Sequence, residues 1–266
     1  MVACDVDGTL LDTAARATAR TIEVVGRVIQ AGVPFVLVTG RPPRWIPPVV
    51  DELGYAGLAV CANGAVLYDA AADKVLSTST LDPMQLRNVA DALDTALPGC
   101  MLAAERPGDS AISTEREFLA ELDYAHPWPS PQSQEAPRGE LLGRPVIKLL
   151  VRHAAMTSEE MAEAATAVLG ESVGITFSTS NGLIELSAPG VSKGSGLAEV
   201  AARFGVRAAD VIAFGDMPND LPMLAWAGHG VAMANAHPSV LDVADEVTAP
   251  NSDDGVALVL ERWFSR

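Results

Sequence analysis

The chain has 266 residues, 49% of them hydrophobic, with 18 Lys and Arg against 34 Asp and Glu and a net charge of −16. That apolar fraction supports a packed core and excludes wholesale disorder, while apolar runs broken well short of the ~18 residues of a bilayer span exclude a membrane helix. The acidic balance repels nucleic acid and anionic membranes, so neither is an expected partner. The first acidic motif starts within five residues of Met1; this leaves no room for a signal peptide and predicts a cytoplasmic protein. Three cysteines (Cys4, Cys61 and Cys100), without a C-x-x-C pair, predict reduced thiols rather than disulfides or a zinc site. The four histidines show no metal-ligand spacing.

The uninterrupted apolar run before Asp5 predicts a strand buried on both faces of a parallel sheet. Ile22, Val25, Val28 and Ile29 place a helix over 14–31, stopped by Gly32. A second buried strand covers 33–38, a proline-punctuated stretch allows a helix only from about Pro47, and a third strand at 58–61 turns at Asn63-Gly64 into a hairpin with 66–68. After residue 77 the texture changes. Asp82-Pro83 starts a helix with Leu86, Val89, Leu93 and Leu97 on one face. Strands are expected at 101–104, 111–113 and 146–151, with 124–145 a surface loop carrying a short helix near Glu140. Thr157-x-x-Glu160 is a capping box for a helix to Leu169, and 173–186 forms a hairpin around Asn181-Gly182. This middle third is α+β in texture. From Gly190 the parallel pattern returns: helix 192–204, strand 211–214, helix 219–227, strands 230–233 and 246–248, helix 255–264. The economical partition is a discontinuous α/β core, 1–81 and 188–266, interrupted by an inserted domain at 82–187.

Four separated segments end in groups that carry chemistry. Asp5 and Asp7 stand at the carboxyl end of the first strand, where α/β proteins place ligands. Anions that close raise one another's pKa, and a hard cation such as Mg2+, which takes carboxylate and carbonyl oxygens, removes the conflict. The plainer alternative is an Asp7-Gly8 bend with Asp5 as a cap. Thr39 and Gly40 end the second strand, where a hydroxyl and an N–H suit phosphate oxygens; for Thr39 alone an ordinary turn is the better reading. Ser192 caps a helix with Lys193 at its first position, where a cation opposes the helix dipole. A solvated surface lysine is the bland alternative, but the placement makes sense where lysine and helix terminus face one anion. Asp216 directly follows a buried strand and is a third candidate metal-linked acid. Asp220 caps the next helix or holds Lys193 by a salt bridge, and Asn219 is an N-cap or a phosphate contact.

In this order the segments resemble the four motifs of the haloacid dehalogenase (HAD) superfamily of phosphotransferases, in particular its Cof-type phosphatases with the larger α/β (C2-type) cap. The resemblance rests on Asp5-Val6-Asp7-Gly8-Thr9-Leu10-Leu11-Asp12, Thr39-Gly40-Arg41, Asn63-Gly64-Ala65, Gly190-Val191-Ser192-Lys193-Gly194, Phe214-Gly215-Asp216-x-x-Asn219-Asp220-x-x-Met223-Leu224, Val231-Ala232-Met233-x-Asn235-Ala236 and Asp254-Gly255-Val256. It implies a Rossmann-like parallel-sheet core with an inserted α+β cap domain, and a phosphatase of small phosphorylated metabolites, sugar phosphates foremost. It further implies that Asp5 attacks phosphorus to give an aspartyl-phosphate, and that Asp7 protonates the leaving oxygen and then takes a proton from water. Mg2+ would be held by Asp5, the Asp7 carbonyl and Asp216. Thr39, Gly40, Lys193 and Asn219 would bind the phosphoryl oxygens, with Asp220 in support. Arg41 holds substrate or packs under the cap. Arg106, Arg116, Trp128 and Lys148 are candidates for the cap's inner face, with packing roles as the default.

Three alternatives remain open at this point. A phosphomutase or a dedicated glycosyl-phosphate phosphatase shares the same motifs. A phospho-accepting receiver module also sets acids near a lysine on a parallel sheet, but it is about half this length and has no use for Asp7. A binding protein with a dead site is disfavoured because no expected catalytic group is replaced.

Overall fold

A computed structural model describes residues 1–112, 117–126 and 134–265. The chain opens with strand β1 (Val2–Cys4), helix α1 (Ala19–Gln30), strand β2 (Phe35–Val38), helix α2 (Pro47–Leu53) and strands β3 (Leu58–Cys61), β4 (Val66–Asp69) and β5 (Lys74–Thr78). It continues through α3 (Pro83–Ala96), β6 (Met101–Glu105), β7 (Phe118–Ala120), β8 (Gln134–Glu135), α4 (Arg138–Leu141), β9 (Lys148–Arg152), α5 (Ser158–Leu169), β10 (Gly174–Thr176) and β11 (Leu183–Ser187). It closes with α6 (Lys193–Phe204), β12 (Ile212–Gly215), α7 (Leu221–Trp226), β13 (His229–Ala232), α8 (Pro238–Leu241), β14 (Glu246–Val247) and α9 (Gly255–Leu260).

These elements form two compact units, one of Met1–Leu76 with Ser192–Arg266, the other of Ser77–Val191. The larger sheet has the order β14-β13-β12-β1-β2-β3-β4-β5. It is parallel from β14 to β3, and β4 turns back, antiparallel to β3. The chain winds outward from β1 in one direction through β2 and β3, and in the other through β12, β13 and β14. Strand order therefore reverses between β1 and β12, and at such a switch point the crevice beyond the carboxyl ends of the strands is open to a ligand. Ala3, Val36, Val38, Val60, Ala213 and Ala232 pack from these strands against Leu197, Val200, Met223 and Leu224 of α6 and α7. Both strand faces are apolar because helices cover both.

In the second unit the sheet order is β10-β11-β9-β6-β7-β8, antiparallel apart from β7 with β8. Asp82 caps α3 by accepting from Met84 and Gln85 N–H, and the Thr157–Glu160 box caps α5. Of the residues considered for a cap's inner face, Lys148 donates to Glu185 at 3.0 Å in a buried pair and Arg106 donates to the Glu140 carbonyl at 3.0 Å. Arg116 and Trp128 lie outside the described residues.

Several expectations need correction. Helix α1 begins at Ala19, not 14, because Asp12 Oδ1 accepts from the Ala14 and Arg16 N–H groups, Ala15 takes a positive φ, and Thr18 is the true N-cap. The strand expected at 111–113 is absent at its described positions: Ala111 and Ile112 lie in a turn, with Ile112 well exposed. Among the described residues, the Glu117 carbonyl accepts from Arg106 N–H and Phe118–Ala120 pair with β6. The stretch 124–145 is not merely surface loop, since Tyr124, Leu141 and Leu142 are buried and β8 and α4 fall within it; the prolines at 127, 129 and 131 lie outside the described residues. Strand β5 was not foreseen. The helix expected at 219–227 begins as a 3-10 turn, Pro218–Asp220, and becomes α-helical only at Leu221.

Candidate active site

The carboxyl ends of β1 and β12 bring Asp5 and Asp216 together, and α6 brings Lys193 to them. The Lys193 ammonium donates to Asp5 Oδ1 and to Asp220 Oδ1, each at 2.6 Å, and all three side chains are buried. This explains the lysine at the first position of a helix. Ser192 caps α6 with a Ser195 capping box, and the dipole penalty on Lys193 is offset by two carboxylates. Burial alone would lower the Lys193 pKa, but the attraction of Asp220 and Asp5 outweighs it and holds the pKa raised.

Asp220 is a holding group. One oxygen takes the lysine and the other accepts the N–H groups of Asp216 at 3.0 Å and Met217 at 2.9 Å, which fixes the turn leaving β12. The salt-bridge reading of Asp220 is the one the geometry realises. Asn219 is not an N-cap: its Nδ2 donates to Asn63 Oδ1 at 3.1 Å, and its own Oδ1 is buried without a partner. A buried, unpaired carboxamide oxygen costs free energy unless a ligand or water completes it.

Asp5 and Asp7 alternate off the end of β1 into different environments. The Asp5 side chain is 6% exposed and that of Asp7 is 58% exposed. Asp7 is held by Arg41 in a two-point fork, Nε to Oδ2 at 2.8 Å and Nη2 to Oδ1 at 2.6 Å. Thr39 is buried and its Oγ1 accepts from Arg41 N–H at 3.1 Å. Gly40 lies beside the two asparagines: a Cβ there would come within 3.1 Å of Asn63 Oδ1.

Carboxylate oxygens of Asp5, Asp216 and Asp220 lie within 4.8 Å of one another, with one ammonium among them. Burial first, then Asp220, push the Asp216 pKa up to about 7, although Thr9 Oγ1 donates to Asp216 Oδ1 at 2.8 Å and works the other way. Burial and Asp220 likewise raise Asp5 well above the usual carboxylate range, against the pull of Lys193. Such a site is short of positive charge and rich in oxygen donors, and it fits a hard divalent cation. With Asp220 fully engaged, Asp5 and Asp216 are the carboxylates available to it.

Three supporting residues were not among the expected site residues, although Thr9 and Asn235 lie within the motifs that carry the resemblance. The Thr9 hydroxyl restrains Asp216. Asn235 Nδ2 donates to the Gly8 carbonyl at 2.9 Å, and Asn251 Nδ2 donates to the Leu11 carbonyl at 2.7 Å, so together they pin the loop after β1. Asn235 stood within a recognised motif, but nothing in its spacing gave it this task.

The family model for haloacid dehalogenase-like hydrolases matches residues 2–260. The chain belongs to this family. This HAD-like hydrolase is 30% identical to the HMP-PP phosphatase of Cronobacter sakazakii, over 98% of its own length and 94% of the relative's. It is 28% identical to the pyridoxal phosphate phosphatase of Escherichia coli, over 97% and 96% of the two chains. Among solved structures it superposes on a HAD subclass IIB sugar phosphatase with a TM-score of 0.79 at 22% identity, covering 98% of each chain; that likeness is one of fold. The family expected from the motifs and the α/β class expected from the strand pattern are those found.

Proposed function

We propose that this HAD-like hydrolase is a Mg2+-dependent phosphatase of small phosphorylated metabolites, sugar phosphates foremost, working through an aspartyl-phosphate on Asp5. The observation that carries the proposal is the buried Lys193–Asp5 contact at 2.6 Å beside Asp216. A surface turn would not bury a lysine among three acids, whereas a phosphoryl site needs both signs of charge.

Asp5 supplies the attacking oxygen, and Lys193, fixed by Asp220, favours its charged form and faces the phosphoryl group. The Thr39 hydroxyl, the Gly40 N–H and the Asn219 carboxamide stabilise the equatorial oxygens, where charge spreads in the transition state. The Asn219 carboxamide, buried with its Oδ1 unpartnered, supports this. Asp7 gives a proton to the leaving oxygen, then accepts one from the water that hydrolyses the intermediate. Asp5, the Asp7 carbonyl and Asp216 would hold Mg2+, which would supply the charge that offsets carboxylate–phosphate repulsion. We assign substrate choice to the cap, the insertion at 82–187 between core segments 1–81 and 188–266. The different substrates in the relatives' names agree with a fixed phosphate site and a variable selector.

The test is phosphate release from a panel of sugar phosphates, pyridoxal phosphate and p-nitrophenyl phosphate, with and without Mg2+. Release that needs Mg2+ and vanishes in Asp5→Asn is the expected result. Activity surviving Asp5→Asn would sink the mechanism; isomerised sugar phosphate without free phosphate would indicate a mutase. Turnover of p-nitrophenyl phosphate with no sugar phosphate accepted would keep the chemistry and overturn the substrate class.

A further inference from the structure

Arg41 spends its guanidinium on Asp7, and the geometry of that contact bears on how Asp7 is aimed. The residue is anchored before its side chain begins: its N–H donates to Thr39 Oγ1 at 3.1 Å and its carbonyl accepts from Ala62 N–H at 2.9 Å. Nη1 reaches the Trp45 carbonyl at 3.4 Å, leaving Nε and Nη2 as a flat fork on the two oxygens of Asp7. The Arg41 side chain is 18% exposed against 58% for Asp7, so the half-buried partner sets the direction of the exposed one. An exposed carboxylate without such a fork samples several rotamers.

The geometry points to Arg41 as the positioning residue that aims Asp7 at the attacking water, in the step that hydrolyses the aspartyl-phosphate. This assignment rests on the reading of Asp7 as acid and base given above. A carboxylate has about four lone-pair sites on its two oxygens. With one site on each oxygen taken by an Arg41 N–H, another stays open, so Asp7 can accept a proton from water without losing either bond. The fork can therefore stay in place while the water proton arrives. In that step the water oxygen bonds to phosphorus and the bond from phosphorus to the Asp5 oxygen breaks, its electron pair returning to the Asp5 carboxylate. The water proton passes to Asp7, which then holds the hydrogen that the next leaving group takes.

The experiment uses the full chain with Mg2+ and p-nitrophenyl phosphate, whose leaving group departs without a proton, so that the first half-reaction does not depend on Asp7. In Arg41→Met, kcat should fall by about 10- to 100-fold, the scale of a misdirected general base. KM should fall in proportion, leaving kcat/KM nearly unchanged. Rapid mixing should show a burst of one nitrophenolate per chain, and intact-protein mass should show the chain carrying one phosphoryl group. Arg41→Lys, which keeps a single donor, should give a smaller drop in kcat and a smaller burst. A merely structural role would lower kcat/KM together with kcat and give no burst; that result, or an unchanged kcat, overturns the assignment. Asp7→Asn is run alongside. A burst there with none in Arg41→Met overturns the role of Arg41 alone, whereas no burst in either overturns the reading of Asp7 as well.

Discussion

Lys193 is the side chain on which the buried charges depend. It is the ammonium that faces both Asp5 and Asp220, at 2.6 Å each, inside the protein. Removing one member of a buried ion pair leaves the others uncompensated, at a cost of about 3–5 kcal/mol. Lys193→Met should therefore be destabilised by that order in urea unfolding, more at pH 8 than at pH 5, where the orphaned acids can take up protons. Equal destabilisation at both values would argue that lost packing dominates. Thr9→Val tests a smaller contribution. It removes the hydroxyl that donates to Asp216 at 2.8 Å and should cost about 1.5–3 kcal/mol, the range for a hydrogen bond to a charged group. Mg2+ should recover part of that loss in a thermal melt. The two residues differ in how readable they were. Lys193 stood out because a cation at the first helical position conflicts with the dipole, and Asp5 and Asp216 because buried strands end on them. Thr9, and the choice of Asp7 as the partner of Arg41, depend on which loops meet, and no local pattern encodes that.

Among the elements, α6 matters most because its first turn carries Lys193, and what fixes its height is a contact with the turn after β3. Three residues in a row there, Ala62, Asn63 and Gly64, have positive φ. A Cβ on Gly64 would lie 2.1 Å from the Ser192 carbonyl oxygen, a backbone atom that cannot swing aside. Gly64→Ala should thus push the start of α6 away, costing about 1–3 kcal/mol by overpacking and lowering turnover as Lys193 leaves Asp5. Gly54→Ala is the control, because its φ of +64° carries the same kind of backbone strain with no atom within 4 Å. It should cost only about 1 kcal/mol and leave turnover intact. If both variants lose activity equally, the contact with Ser192 is not what sets α6. At this scale the buried strands β1, β2, β3 and β12 were legible as apolar runs ending in turn residues, and α3, α5 and α6 as capped amphipathic segments. Strand β5 escaped because it is exposed or half-exposed throughout and lacks the apolar run that marks the others. The strand expected at 111–113 fails at Ala111 and Ile112, because two apolar residues do not tell a strand from an exposed turn, and Ser113 lies outside the described residues.

Across the whole molecule, the buried acids tie folding stability to pH and Mg2+ together. Burial, first, and then Asp220 raise Asp216 to about 7 and push Asp5 up in the same direction. In the unfolded chain both return to the ordinary carboxylate range, about 4. Between those limits the folded, metal-free protein holds more protons than the unfolded chain. The stability these groups allow is thus fully present below about pH 4 and declines as pH rises toward 7, by about 1.4 kcal/mol per pH unit for each proton held. A divalent cation on the same oxygens competes with those protons and binds only the folded form. In EDTA, the melting temperature should therefore fall between about pH 5 and about pH 8, by roughly 2–4 °C per kcal/mol for a chain of this size. Added Mg2+ should raise it by an increment that grows over the same interval. Other groups titrate nearby. Burial lowers the Met1 amine and His126, and both then favour folding as pH rises, the opposite sense. They are unchanged in Asp216→Asn, so the decisive quantity is the difference between the wild type and that variant. The variant should melt higher than the wild type in EDTA at pH 8, lose most of the pH slope and respond weakly to Mg2+. Identical slopes in EDTA would mean that the acid cluster keeps its charge without strain, and the case for a cation there would lose its electrostatic basis.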